Sequence, residues 1–260
     1  MIGTSQLADR NDATVLRWYR EAALVLGYYA LYTMVRNRFG SATVSPAVAL
    51  ENARKVIDVE RSLGLYFEPW LQDLFLPWPR FLRLCNIFYG SLHFVVTAGV
   101  MVWLYRVHPA RYRYWRRVLA ATITLALVGF MTFPLMPPRL LGDVGSFGGG
   151  ATEFRFVDTL AQVGGLWSFG SQGMKSISNQ YAAMPSLHIA WSAWCALAAI
   201  PAIRSSWARA ALIIYPVVTL FAIVVTANHY WIDGLGGLAA LAAGWGFAEL
   251  LERRSTTISG

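Results

Sequence analysis

The sequence predicts an all-α polytopic membrane protein: six transmembrane helices in a bundle, with a short amphipathic helical segment on the outer face. Three observations lead there. Of the 260 residues, 56% are hydrophobic and 14% charged, about half the charge of an ordinary soluble domain. Apolar runs recur at roughly the 20-residue length that crosses a bilayer as a helix. The arginines gather at the ends of those runs, as they do in loops that face the cytoplasm. The formal net charge of +8 is therefore a topology signal, and no nucleic-acid partner is expected.

Residues 1–16 are a polar tail, and no cleavable signal peptide is expected because the first apolar run starts beyond it. Residues 17–79 hold the first span, Arg17 to Val35, closed by Arg36 and Arg38, and then a mixed segment. There Glu51, Arg54, Lys55, Asp58, Glu60 and Arg61 interleave with Val48, Ala49, Val56, Ile57, Leu63 and Leu65. Such mixing predicts one or two short amphipathic helices on the surface rather than a span, with Trp70 and Trp78 in an interfacial belt.

Residues 80–252 supply a five-span core. Its first span, Phe81 to Tyr105, contains Asn86, Tyr89 and His93. Arg106, Arg111, Arg113, Arg116 and Arg117 follow without an acid, the strongest cytoplasmic marker in the chain. The next span, Val118 to Met136, ends at Pro137-Pro138-Arg139, and residues 140–183 form a glycine-rich loop. The last three spans are Pro185 to Ile203, Ala210 to Ala227 and Trp231 to Leu251, before a cytoplasmic tail at 253–260. Alternating sides from the arginine-rich anchor makes both termini cytoplasmic. It puts residues 40–79, the 140–183 loop and the turn at His229 on the outer face of the cytoplasmic membrane. Cys85 and Cys195 lie within apolar runs and read as small core residues, not a disulfide or metal site.

This topology gathers Arg139, His188, His229 and Asp233 on one face at comparable depth. Ionisable groups inside spans are costly and usually functional. His229 and Asp233 are spaced to stack on one helical face, so the carboxylate can hold the imidazole tautomer and support its charged form. Pro185 suits the first position of a helix, whose free amides at Ser186 and Leu187 would attract an anion beside His188. With Arg139 and Lys175 added, these groups suit a phosphate, and phosphoryl transfer rests mainly on positioning and charge stabilisation. His93, Tyr89, Asn179 and Tyr230 are candidate pocket residues. A histidine–histidine–aspartate metal site uses similar residue types, but neither metal nor cofactor is expected.

At these residues the chain resembles the type 2 phosphatidic acid phosphatase superfamily, over roughly residues 80–250. Pro185-Ser186-Leu187-His188 is similar to that family's middle motif, and His229-Tyr230-Trp231-Ile232-Asp233 to its last. The resemblance implies a helical bundle, with His229 as nucleophile forming a phosphohistidine, Asp233 supporting it and His188 protonating the leaving group. It also implies an arginine where Ile223 stands and a lysine where Thr132 stands, so Arg139, Lys175 or others must take their place. Pro137-Pro138-Arg139, Ala182 to His188 and Asn228-His229-Tyr230 are closer to the inositol phosphorylceramide synthase-like branch.

The resulting expectation is a phosphotransferase moving a phosphate or phospho-headgroup, such as phosphoinositol, from a lipid phosphate to a lipid alcohol. The alternative is a phosphatase acting on a phosphatidate-like or polyprenyl phosphate or pyrophosphate. A lipid or anion transporter is the rival of another class, disfavoured because the polar groups cluster at one membrane face rather than at the midplane. Metal-dependent transfer from cytidine-diphosphate lipids needs several aspartates on facing helices, and Asp233 has no such companion nearby in the spans.

Overall fold

The structure is a computed structural model that describes residues 17–38, 43–166 and 179–258. Nine α-helices and no strand occur among these residues. In chain order they are α1 (Trp18–Arg38), α2 (Pro46–Ser62), α3 (Glu68–Phe75), α4 (Pro79–Val107) and α5 (Pro109–Thr132). There follow α6 (Thr159–Val163), α7 (Leu187–Ala199), α8 (Ser206–Val225) and α9 (Trp231–Ile258).

Four helices, α4, α5, α8 and α9, are long and apolar enough to cross a membrane. The other two expected spans correspond to α1, whose ends carry Arg20, Glu21 and Arg38, and α7, which with its 3-10 extension runs Leu187–Ala202. The arginine-rich stretch 106–117, expected as a loop, is instead nearly all helix: only His108 separates α4 from α5. Tyr112, Trp115, Val118 and Leu119 recur at helical spacing and are buried, so the first turns of α5 pack while their arginines face outward or pair.

α9 binds the bundle together. It lies against α5 and α7 along a face of small residues, the arrangement that lets helix backbones approach within a membrane. A Cβ at Gly237 would stand 2.3 Å from the Ser186 carbonyl oxygen, and one at Gly244 would stand 2.7 Å from the Thr122 nitrogen. Glycine is the residue that permits both approaches. At the opposite face of α5, Tyr28 of α1 donates to the Ala120 carbonyl (2.8 Å). Cys85 and Cys195 are free and buried.

The amphipathic segment does more than lie on the surface. Proline at its first helical position and Ser45 as N-cap start α2, as helix beginnings favour. Ala49, Ala53, Val56, Ile57 and Glu60 form its buried face, at the i, i+4, i+7 spacing of one helical stripe. That face packs on Leu135 and Met136, just after α5, and on Tyr181 and Tyr230, just before α7 and α9. Three buried amides stitch the connections down. Asn52 donates to Pro134 O (3.0 Å), Asn86 donates to Thr159 O (3.1 Å), and Gln72 both donates to and accepts from the Val157 backbone. Buried loop backbone that is paired in this way avoids the cost of unmet polar groups.

Candidate active site

The residues that converge come from the ends of four elements. α8 ends at Val225, and the chain then turns sharply: the amides of Asn228 and His229 both donate to Ile223 O (3.0 and 3.1 Å). Ala227 takes a positive φ of 54° to make that turn, which costs a non-glycine residue some strain. Arg139, on the 3-10 turn Pro138–Leu140, is anchored by its own amide to Ala227 O (2.8 Å). α7 is tied to the same place, because the Ser186 amide donates to Asp233 O (2.9 Å). Backbone hydrogen bonds thus fix the two histidine-bearing segments and the arginine relative to one another.

His229 is 3% exposed and Asp233 fully buried. Nδ1 of His229 lies 3.2 Å from Oδ2 of Asp233, and the Tyr230 amide donates to the same oxygen (3.0 Å). The carboxylate therefore selects the tautomer with the proton on Nδ1, and Nε2 is left for the pocket. His188 faces His229 with ring centroids 5.3 Å apart. Tyr89 stacks on His188 at 4.4 Å, and His93 meets it edge-on at 4.3 Å.

These groups line a pocket of about 250 Å³. Its polar lining is Arg139, Asp158, Asn179, Gln180, Asn228 and the histidines, and its apolar and aromatic lining includes Tyr29, Tyr32, Phe94, Phe130, Leu187 and Trp191. Arg139 is the one arginine or lysine lining it among the described residues. Its Nη1 pairs with Asp158 (3.1 Å) and its Nη2 donates to Gln180 (2.8 Å). Nε is buried without a partner, so of five guanidinium donors three remain for a ligand.

The structure brings together His188, His229, Asp233, Arg139, His93, Tyr89 and Asn179. Lys175 lies outside the described residues. Ser186 and Tyr230 do not line the pocket. Ser186 is the N-cap of α7, fully buried, with its amide already used by Asp233. The helix accordingly begins at Leu187, two residues later than expected from Pro185. The anion-attracting amides are those of its first turn from Leu187 onward, which have no acceptor inside the helix. Tyr230 points the other way and donates to Met136 O (3.1 Å). Burial, then the Asp233 charge, raises its hydroxyl well above the ordinary value, so it remains a neutral donor.

Ile223 and Thr132, where bases were expected, are not ligands to anything in the pocket. Ile223 is buried under the turn and packs on Ile189 and Val224; Thr132 bonds back to Val128 O (2.8 Å). Asp158, Gln180 and Trp191 were not anticipated. Asp158 was visible only as one acid of a glycine-rich loop, and Gln180 had no signal beyond its place shortly before the Ala182 to His188 motif.

A membrane-embedded helical bundle with a buried His–Asp pair, a facing histidine and one poised arginine defines a class of protein suited to chemistry on an anionic lipid. The family model of the PAP2 superfamily matches residues 54–247, and the chain belongs to that superfamily. Its members are generally phosphatases or phosphotransferases acting on lipid phosphates. Searches of curated proteins and of solved structures return no significant match.

Proposed function

We propose that the protein is a metal-independent phosphotransferase that moves a phosphate or phospho-headgroup from one lipid to the hydroxyl of another through a phosphohistidine. One observation carries the reading: two histidines face each other across a pocket, and only one of them is backed by a buried carboxylate. That asymmetry gives them different tasks. His229, its tautomer held by Asp233, attacks phosphorus through Nε2. The phosphorus–oxygen bond to the leaving group breaks, and His188 delivers its proton to the departing oxygen. The acceptor hydroxyl then gives a proton to His188 while its oxygen attacks phosphorus, the phosphorus–nitrogen bond breaks, and His229 is restored. The free donors of Arg139 and the first-turn amides of α7 balance the charge on the transferring group. The aromatic lining residues Tyr29, Tyr32, Phe94, Phe130 and Trp191 suit the chain of a lipid rather than a soluble phosphate. In this reading six helices span the cytoplasmic membrane, both termini are cytoplasmic, and the pocket opens outward, at the end opposite Arg106 to Arg117.

Hydrolysis is the second reading, favoured by the pocket volume of about 250 Å³, since small-molecule sites usually measure roughly 300–1,000 Å³ and water needs no room of its own. Vesicles containing a labelled lipid phosphate and an excess of lipid alcohol separate the two. Transfer predicts label in a new lipid, the phosphate ester of the added alcohol (a monoester when phosphate alone moves, a diester when a phospho-headgroup moves), that increases with the alcohol. Hydrolysis predicts water-soluble label, free phosphate or phospho-headgroup, that does not. Formation of neither product, or full turnover in His229→Ala, sinks both readings.

A further inference from the structure

Two carboxyl groups that do not line the pocket meet the start of α9. Glu60 lies in the last turns of α2 and Glu68 opens α3; both are 0% exposed. The Trp231 amide donates to Oε1 of Glu68 (3.2 Å), and the Ile232 amide donates to Oε1 of Glu60 (3.4 Å). These are the first two amides of α9, which no carbonyl within the helix can accept. Side-chain carboxylates at a helix beginning serve them well. The next amide back, Tyr230, donates to Asp233, so three carboxyl groups from three helices hold the single turn that carries His229.

The second oxygen of each glutamate, Oε2, is buried and finds no donor among the described residues. The two side chains lie within hydrogen-bond reach of each other, and no lysine or arginine pairs with either among the described residues. Their ionisable neighbours are Asp233, Tyr66 and Tyr230, with Arg61 stacked over the Tyr66 ring at 4.9 Å. Two bare carboxylates in such a place would be buried, unpaired and mutually repelling. One proton shared between the two side chains removes a charge and replaces their repulsion with a hydrogen bond.

We propose that Glu60 and Glu68 are positioning residues: a carboxyl–carboxylate pair sharing one proton, which clamps the first amides of α9 and so fixes the His229–Asp233 couple. The clamp stands on its own geometry; its consequence for turnover rests on the reading of His229 as nucleophile. Neither glutamate touches the pocket, so both act through the turn they hold.

Burial, with the neighbouring Glu68 carboxylate, pushes Glu60 up to about 9, and burial raises Glu68. The unfolded chain releases these protons near the ordinary 4.5, whereas the folded chain keeps the shared one. Folding therefore takes up a proton inside that window, and stability falls as pH rises from about 4.5 toward about 9.

The test uses the full chain in lipid nanodiscs. Tm is measured across that pH window for the wild type, Glu60→Gln and Glu68→Gln, and kcat and KM are measured for these and for Glu60→Ala and Glu68→Ala. The wild-type Tm should fall with pH, and each glutamine variant should flatten the slope, because an amide cannot release the proton. Each alanine variant should lose roughly 10- to 100-fold in kcat with KM within about 3-fold, since misplacement of a catalytic group by about 1 Å can cost that much. The glutamine variants should retain at least about 10-fold more kcat than the alanine variants, because the amide still offers an acceptor oxygen. Parallel Tm slopes in wild type and both glutamine variants would overturn the shared proton. Wild-type kcat in both alanine variants would overturn the positioning role. If the alanine variants do not fold, Glu60→Asp and Glu68→Asp, whose shorter side chains cannot hold the amides in place, take over the kcat comparison, and wild-type kcat in both would overturn the positioning role. If the wild type turns over no lipid phosphate, the proposed function fails while the Tm slopes still report on the clamp.

Discussion

The two ends of the bundle treat their buried polar groups in opposite ways. Toward the arginine-rich end most large polar side chains have partners, the Tyr215 hydroxyl packed against the same core being the exception. Trp194 donates to Trp115 O (2.9 Å), Tyr114 donates to Glu249 (2.7 Å) and accepts from Trp245, Arg111 donates to Ala198 O at the end of α7 (3.0 Å), and Arg116 pairs with Glu21. At the pocket end a set of buried polar atoms has none: Nδ1 of His93 and of His188, Nε of Arg139, Oδ1 of Asn228 and of Asp233, and Nε1 of Trp191. Buried polar groups are normally satisfied, and each exception calls for a reason. The same helices, α4, α5, α7 and α9, supply both ends, so packing alone does not explain the contrast. One end has its polar groups paired within the protein; the other keeps several buried ones unpaired around the pocket.

Substitutions at the two ends should therefore divide between turnover and stability. The largest effect is expected at the His–Asp couple: Asp233→Asn should lower kcat by about 10³- to 10⁴-fold, as loss of the tautomer-holding carboxylate does in comparable couples. His188→Ala should cost about 10²- to 10⁴-fold, the usual worth of a general acid. Both are read by steady-state turnover of a lipid phosphate in mixed micelles. Gly237→Ala comes next. Its Cβ would collide with the Ser186 carbonyl and push α7 from α9, so kcat should fall and stability should drop by about 1–3 kcal/mol, read by thermal unfolding beside the assay.

Arg139→Lys should raise KM by roughly 10-fold or more, because an ammonium cannot hold Asp158 and Gln180 in the planar fork and still reach the ligand. A variant that leaves KM unchanged would remove Arg139 from the phosphate site. The smallest effect belongs to the other end. Trp194→Phe deletes one buried hydrogen bond and should cost about 1 kcal/mol or somewhat more of stability, with turnover unchanged once folded protein is compared. A loss of turnover there, at intact stability, would erase the distinction between the ends.

Much of this arrangement is readable in the chain, and what is not has definite physical causes. Helix starts at Trp231 and near Pro185, and the spacing of His229 to Asp233, follow from local pattern, because a helical period and a cap are local properties. The arginine stretch misled because charge density hid the Tyr112–Trp115–Leu119 stripe that makes it helix. Glu60 and Glu68 sit on segments whose composition suits a solvated interfacial helix. Their burial against Trp231 and Ile232 depends on contacts more than 160 residues away in sequence, which no local pattern encodes. Asp158 and Gln180 were hidden for the same reason: a loop acid and a loop amide acquire meaning only when Arg139 lies between them.

In the proposed mechanism His229 itself carries the phosphate. The direct measurement is rapid-quench labelling with a radiolabelled lipid phosphate, followed by peptide mapping under alkaline conditions, where phosphohistidine survives and acyl phosphate does not. The mechanism predicts acid-labile label on the peptide containing His229, absent in His229→Ala and accumulated when lipid acceptor is withheld. Turnover with no label on that peptide at any quench time, or label retained in His229→Ala, would contradict it.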